Sequence, residues 1–309
     1  MTLAPSGTPA VASRVPASGA PASRTPEARA TLSATMSRRK QHVPWTAAGT
    51  ASEQQHSADD VVRETGWVFN NRTGRELDLA AFVETGDHET LAYLQAFGLD
   101  AGIEHQSMVE IGSGIGRMTA SFSRMFARVT ACDLDGAFLE RCRETVAQFG
   151  RPERLQTCHV DDGRTLLIAD ASTDLAFSYI TLQHCHPGDA LALTREAVRI
   201  TRPGGHVALN YRTWTASDAV LWPAGKVVRG SFRVPGIGPM LARHRPTARV
   251  GWQANRLGPA TVLPEVAEHL HEVRLVRSPE RLPFGVAGVE ESTYVGVHPS
   301  HWWLIGTVR

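Results

Sequence analysis

Met108-Val109-Glu110-Ile111-Gly112-Ser113-Gly114-Ile115-Gly116, followed by Cys132-Asp133-Leu134-Asp135, decides the fold of this chain. The order reads as a buried strand, a glycine-rich turn, a helix, a second strand and an acid at that strand's end. Three glycines at alternate positions let the backbone turn sharply and let a ligand lie against bare peptide. Asp133 stands 23 residues after Glu110, the length of one turn, one helix and a return strand. A carboxylate placed there can accept hydrogen bonds from both hydroxyls of a ribose. The pattern therefore implies a ligand that contains a nucleoside.

The turn itself separates two classes of nucleoside ligand. A dinucleotide fingerprint is G-x-G-x-x-G, its third glycine opening a helix whose N-terminus receives a pyrophosphate. Here the spacing is G-x-G-x-G, and Arg117 occupies the place where that third glycine belongs. Glu110, two residues before the first glycine, would repel a pyrophosphate and suits a cationic ligand. S-adenosylmethionine carries an ammonium and a sulfonium and no phosphate. At this point the chain resembles the class I S-adenosylmethionine-dependent methyltransferases, whose first motif is an acidic residue, one spacer, then G-x-G-x-G.

The resemblance runs from about residue 85 to the C-terminus. Thr157-Cys158-His159-Val160-Asp161-Asp162-Gly163 is similar to the family's third strand, ending in an acid that meets the adenine amino group. Asp174 to His184 is similar to its fourth strand and the loop that faces the methyl donor, and Val198 to Leu209 to its helix, Pro-Gly-Gly turn and fifth strand. The resemblance implies donor contacts from Glu110, Gly112, Ser113, Gly114, Gly116, Asp133, Leu134, Asp162, Gly163 and Ser178. Glu110 would face the ammonium and Asp133 the ribose; Asp162 with Gly163 would meet the adenine, with Asp161 a rival one residue away.

Strand and helix alternate five times, which implies an α/β fold with a doubly wound, mostly parallel sheet and helices on both faces. Val273–Val276 and Trp302–Val308 flank a loop with no helical crossover. They are expected to form the antiparallel end of a seven-stranded sheet, with the last strand antiparallel. Ser57 to Val68 is expected to form a helix capped by Ser57, and Asp87 to cap another that carries Leu91, Leu94 and Phe97 on one face and stops at Gly98. The expected organisation is a tail over 1–56 and a methyltransferase domain over 57–309. Within that domain, N-terminal helices span 57–100, the donor-binding core 101–212, a basic insertion 213–260, and the last helix and strands 261–309.

Composition fits one sizeable core: 309 residues, 42% of them hydrophobic. The formal charge of +1 is unevenly placed, since residues 1–57 carry six basic and two acidic side chains and leave the remainder net negative. That balance gives no reason to expect nucleic acid as a partner. Cys132, Cys142, Cys158 and Cys185 include no C-x-x-C pair, so neither a metal nor a disulfide framework is expected. No apolar run approaches the roughly 18 residues of a membrane span. The Ala-, Ser-, Pro- and Arg-rich start of the chain has too little apolar surface to offset its ordering entropy, and reads as a disordered extension, with an organelle transit peptide as the other reading. Two lysines, Lys40 and Lys226, stand against thirty arginines, which points to a GC-rich genome and a bacterial, cytoplasmic setting.

Methyl transfer from a sulfonium needs alignment of the acceptor and, for a hydroxyl acceptor, removal of a proton. His184, just after the fourth strand, is the candidate general base. Tyr179 and Tyr211, at the ends of strands four and five, are candidates to position the acceptor. His184-Cys185-His186 is discounted as a metal set because adjacent side chains point apart. The 213–260 insertion has no acid between Asp218 and Glu265, but contains Lys226, Arg229, Arg233, Arg243, Arg245, Arg249 and Arg256 interleaved with Trp222, Phe232 and Trp252. In the resembled family, insertions here build the substrate lid, and a basic one suits an anionic metabolite or a lipid headgroup. The expected function is transfer of a methyl group from S-adenosylmethionine to a small molecule, at oxygen. The competing readings are a non-catalytic ligand-binding protein of the same fold and a carbon methyltransferase that needs no base.

Overall fold

The computed structural model describes residues 78–231, 234, 237 and 255–309. The proposed tail, the helix expected over Ser57–Val68 and residues 232–233, 235–236 and 238–254 of the basic insertion lie outside the described residues.

Helix α1 spans Leu79–Phe97. Asp78 caps it, accepting from the backbone N–H of Ala81 at 3.1 Å, and Gly98 ends it in the left-handed region at φ 70°. Asp87 therefore does not start a helix, as the sequence suggested, but sits inside one and pairs with Arg124. The internal Gly86 reads as a break in the sequence. In the fold it is a close approach, because a Cβ there would collide with the Arg117 carbonyl. The buried stripe runs through Phe82, Val83, Gly86, Thr90, Tyr93, Leu94 and Phe97, while Leu91 is 47% exposed and leaves the expected face.

Eight strands form one sheet in the order β3-β2-β1-β4-β5-β8-β6-β7. Strands β1 (Ser107–Ile111), β2 (Arg128–Asp133), β3 (Leu155–His159), β4 (Thr173–Ser178) and β5 (Thr201–Arg212) are parallel neighbours in that order. Strand β8 (His301–Val308) lies antiparallel between β5 and β6 (Leu270–Arg277). The expected antiparallel end is thus present, with one addition: the short edge strand β7 (Glu290–Thr293) pairs parallel to β6. Its sequence, Glu-Glu-Ser-Thr, has no apolar alternation to announce a strand.

Side chains alternate between two cores. Met108, Leu175, Phe177, Ala208, Trp303 and Ile305 face α1 and helix α2 (Thr119–Met125), while Val109, Ala176, Val207, Leu209, Trp302 and Leu304 face the other side. That second face is covered by α4 (Pro187–Ile200), which buries Ala190, Leu193 and Ala197. Helix α3 (Gly136–Phe149) packs against α1 and α2 through Cys142 and Val146. With both faces covered, β1 is buried on both sides from Met108 to Ile111, as an interior parallel strand is, Glu110 included. Helix α5 (Asp218–Ser231) and the short α6 (Pro259–Val262) follow, the latter where the last helix was expected.

Candidate active site

The ends of β1, β2 and β4 meet where the strand order reverses, the place where open α/β sheets bind ligands. The loop after β1 is hooked to β2 by the N–H groups of Gly112 and Ser113, both donating to the Cys132 carbonyl at 2.8 and 3.0 Å. Gly112, Gly114 and Gly116 take φ of 85°, 55° and 92°, conformations that cost a side-chain-bearing residue. The Gly114 N–H donates to Asp133 Oδ2 at 2.8 Å and the Asp135 N–H to Oδ1 at 3.0 Å. Asp133 therefore fixes the loop as well as facing the cavity.

That cavity is lined by Glu110, Gly112, Ser113, Gly114, Asp133, Leu134, Asp162, Gly163, Tyr179 and His184, with Arg117, Phe138, Asp161, Ile180, Thr181 and Asp189 among the others. Two residues expected to touch the donor do not reach it. Ser178 is fully buried and donates its hydroxyl to the Ile111 carbonyl at 2.9 Å, tying β4 to β1. Gly116 faces α3, where a Cβ would come 3.1 Å from Cys142. Gly116→Ala is accordingly expected to lower stability by about 1–3 kcal/mol through a positive φ and crowding. A urea titration checks this; an unchanged midpoint would contradict it.

The electrostatics of the cavity select the ligand. Glu110 is buried, which pushes its carboxyl up to about 8, against the lowering effect of Thr119, whose hydroxyl donates to it at 2.6 Å, and of nearby Arg117. Burial likewise raises Asp133 to about 6, partly offset by the backbone N–H groups it accepts. A crevice lined by five acids, Glu110, Asp133, Asp161, Asp162 and Asp189, against a single arginine is unfavourable for a pyrophosphate. It is suited to a cation carrying a ribose. The polypeptide from 109 to 209, about a third of the chain, matches the family model described as a methyltransferase domain. Residues 109–209 carry a methyltransferase domain.

Solved structures similar to the methyltransferase include the magnesium protoporphyrin IX methyltransferase of Synechocystis PCC 6803 with bound S-adenosylhomocysteine: 12% identity, 81% of this chain and 98% of that one covered, TM-score 0.49. An S-adenosylmethionine-dependent methyltransferase from Thermotoga maritima shares 17% identity over 74% of this chain and 94% of that one, TM-score 0.43. No curated protein matches the chain.

The two rival adenine-side acids both line the methyltransferase's cavity. Asp162 accepts from the N–H groups of Arg164 and Thr165 and from the Thr165 hydroxyl, contacts that hold its carboxyl below the usual range. Asp161 pairs with His159 Nδ1 at 2.5 Å. His184 closes a 3-10 turn, Leu182–His184, and the carbonyls of Leu182 and of its C-cap Cys185 accept from Asn255 Nδ2 at 2.6 and 3.0 Å. The residue is therefore presented on a clamped backbone. Tyr179 stacks on Trp303 and its hydroxyl accepts from Tyr93 at 3.1 Å. Burial pushes its phenol to about 12, so at neutral pH it serves as a hydrogen-bonding group and not as a base. Tyr211 belongs to the opposite core, bonded to Thr194 at 2.8 Å and stacked on Trp302, and takes no part in the cavity.

Several lining residues escaped the sequence reading, Arg117, Thr181 and Ile180 among them. Arg117 was noted only as a departure from the dinucleotide pattern. It is buried, paired with Glu89 at 2.5 Å and set beside the rings of Phe82 and Tyr179. Thr181 packs against the face of Gly112 where a Cβ would collide with it. Ile180 holds φ 53°, an outlier for a β-branched residue, with its N–H directed at Asn210 Oδ1 at 3.4 Å. Arg117 alone carried a usable signal, an arginine directly after the last glycine of a ligand loop.

Proposed function

We propose that the methyltransferase methylates a hydroxyl or similar oxygen of a small, anionic acceptor, with His184 as general base. The observation that carries the reading is His184 on a clamped turn in the wall of the donor cavity, on the same rim as Tyr179. The residues present fit S-adenosylmethionine: glycines that expose bare backbone, a carboxylate at the ribose position, and a buried acid short of a cation. Bound there, the ligand would supply an electrophilic methyl on a sulfonium.

The chain's own residues do the rest. Glu110 would hold the ammonium, Arg117 the ligand's carboxylate, Asp133 the ribose hydroxyls, and Leu134 with Asp162 or Asp161 the adenine. Tyr179 would donate a hydrogen bond to the acceptor and His184 would take its proton. The basic side chains of the 213–260 insertion would favour an anionic acceptor.

His184→Ala is expected to lower turnover by about 100-fold or more, the range for loss of a general base, while affinity for S-adenosylhomocysteine changes by less than about twofold. Turnover with labelled donor against extracts of the source cell, followed by mass analysis of the product, supplies the assay. Undiminished turnover in the variant would mean that the acceptor needs no base, as carbon methylation can allow. An equal loss of donor binding would return His184 to a loop-shaping role.

A further inference from the structure

Helix α5 turns its apolar face away from the body of the protein. Of its 14 residues only Asp218 and Gly225 are buried. Two helical turns apart, they lie on one line and make the contact with the fold. Asp218 is the anchor. Its Oδ1 accepts from Arg212 Nη2 of β5 at 2.9 Å and from Arg256 Nη2 of the 255–257 strap at 2.6 Å, and its Oδ2 from the N–H and hydroxyl of Thr215. Val220 and Val227 stand about 200° round from that buried line and are 71% and 69% exposed. The helix's charged residues, Asp218, Lys226 and Arg229, all fall on the inward half. A solvated helix shows the reverse, with polar residues outward.

The apolar surface continues off the helix. The exposed rings of Trp222 and Trp214 are 6.4 Å apart. Arg281 donates from both Nη atoms to the Trp214 carbonyl at 3.1 Å, and the next residue, Leu282, is 84% exposed. Cations border this surface. Lys226 Nζ lies 3.4 Å from the centroid of the Trp222 ring, and Arg281 donates only to the carbonyls of Trp214 and Pro299. Among the described residues neither cation pairs with a carboxylate. Glu280 is the one acid of the 278–284 segment, and residues 219–264 contain none.

We propose that α5, with Trp214 and Leu282, docks the protein peripherally on an anionic phospholipid bilayer. Val220 and Val227 enter the boundary of the acyl chains, the tryptophans sit at headgroup level, and Lys226 and Arg281 meet lipid phosphates. Charge and shape favour a bilayer over a second copy of this chain. A second copy would set these cations against one another, whereas anionic lipid complements them. A helix that touches its own fold at two residues is a ridge, and a fluid bilayer needs no matching groove. At 14 residues α5 lies on the membrane, and no described helix is long and apolar enough to cross one. The helix follows the carboxyl end of β5, at the same end of the parallel strands as the donor cavity. Docking is independent of the acceptor's identity and of the role of His184.

The test sediments the full chain with vesicles of pure phosphatidylcholine and with vesicles of phosphatidylcholine mixed equally with phosphatidylglycerol. Wild type is expected to bind the mixed vesicles at least tenfold more tightly than the neutral ones, with less binding at high salt. The double variant Val220→Gln with Val227→Gln keeps a good helix former at both positions. It is expected to lose vesicle affinity by tenfold or more while S-adenosylhomocysteine affinity stays within twofold of wild type. Lys226→Glu is expected to weaken binding to the mixed vesicles by about fivefold or more, on the scale of one basic side chain at an anionic surface. Should the double variant melt early, Val227→Gln alone serves, with a smaller loss in the same direction. No binding to either vesicle, or equal binding by wild type and the valine variants, overturns the proposal. So does a dimer in the absence of lipid that the valine variants abolish, which would give this face to a second copy.

Discussion

Asp133→Ala is expected to weaken binding of S-adenosylmethionine and of S-adenosylhomocysteine by about 100-fold or more. Two losses combine. The carboxylate would accept two ribose hydroxyls, and a hydrogen bond to a charged group is worth about 1.5–3 kcal/mol, so two at the lower end already amount to about 3 kcal/mol, or 100-fold. The same carboxylate also secures the N–H groups of Gly114 and Asp135, so its removal frees the loop that lies beneath the ligand. Asp133→Asn should fall almost as far, since its amide can accept at one oxygen only and its NH2 would face a backbone donor. Asp135→Ala is the informative control. Asp135 caps α3 by accepting from the Ala137 N–H at 2.9 Å, so its loss should cost about 1 kcal/mol of stability and leave donor affinity near wild type. Titration calorimetry with S-adenosylhomocysteine decides the matter; unchanged affinity in Asp133→Ala would remove the ribose from this position.

The parts legible in the sequence were those in which local chemistry and global position agree. Asp133 stands at a strand end because β2 is an interior parallel strand and its last residue faces the switch point, so a spacing argument finds it. The glycine loop was equally visible, but the roles of its three members were not. Gly112 packs closely on Thr181 while lining the cavity, and Gly116 packs against α3, distinctions that depend on which element happens to be opposite. Ser178 was misplaced because adjacent residues of a strand point to opposite faces: Tyr179 enters the cavity and Ser178 turns into the sheet. The start of α1 was missed for a related reason, since Gly86 weakens the helical pattern locally while a tertiary contact with Arg117 demands it. The Arg212–Asp218–Arg256 cluster joins residues of β5, α5 and the 255–257 strap. No period in the sequence links them.

Donor affinity should depend strongly on pH, and Glu110 sets the direction. In the ligand-free protein burial raises its carboxyl from 4.5 to about 8, so below pH 8 it is mostly protonated. The folded state then holds a proton that the unfolded chain releases near pH 4.5. Glu110 therefore makes stability fall as pH rises from about 4.5 to 8. A bound ammonium reverses the preference, because the ionised carboxylate gains an opposite charge in a site of low dielectric. Binding must then expel a proton at neutral pH, and observed affinity should rise by up to about tenfold per pH unit from pH 6 toward 8, a total near 100-fold. Above about pH 8 the ligand's own α-amino group loses its charge, so affinity should pass a maximum there and decline. Glu110→Gln retains an acceptor for the Thr119 hydroxyl and cannot ionise. It should abolish the rise between pH 6 and 8, keep the decline above 8, and melt at the same temperature as wild type or higher when ligand-free at pH 8.5. Calorimetry at pH 7 in buffers of different ionisation enthalpy measures the expelled proton directly. A wild-type affinity that stays flat from pH 6 to 8, with no proton released, would mean that Glu110 does not meet the donor's ammonium.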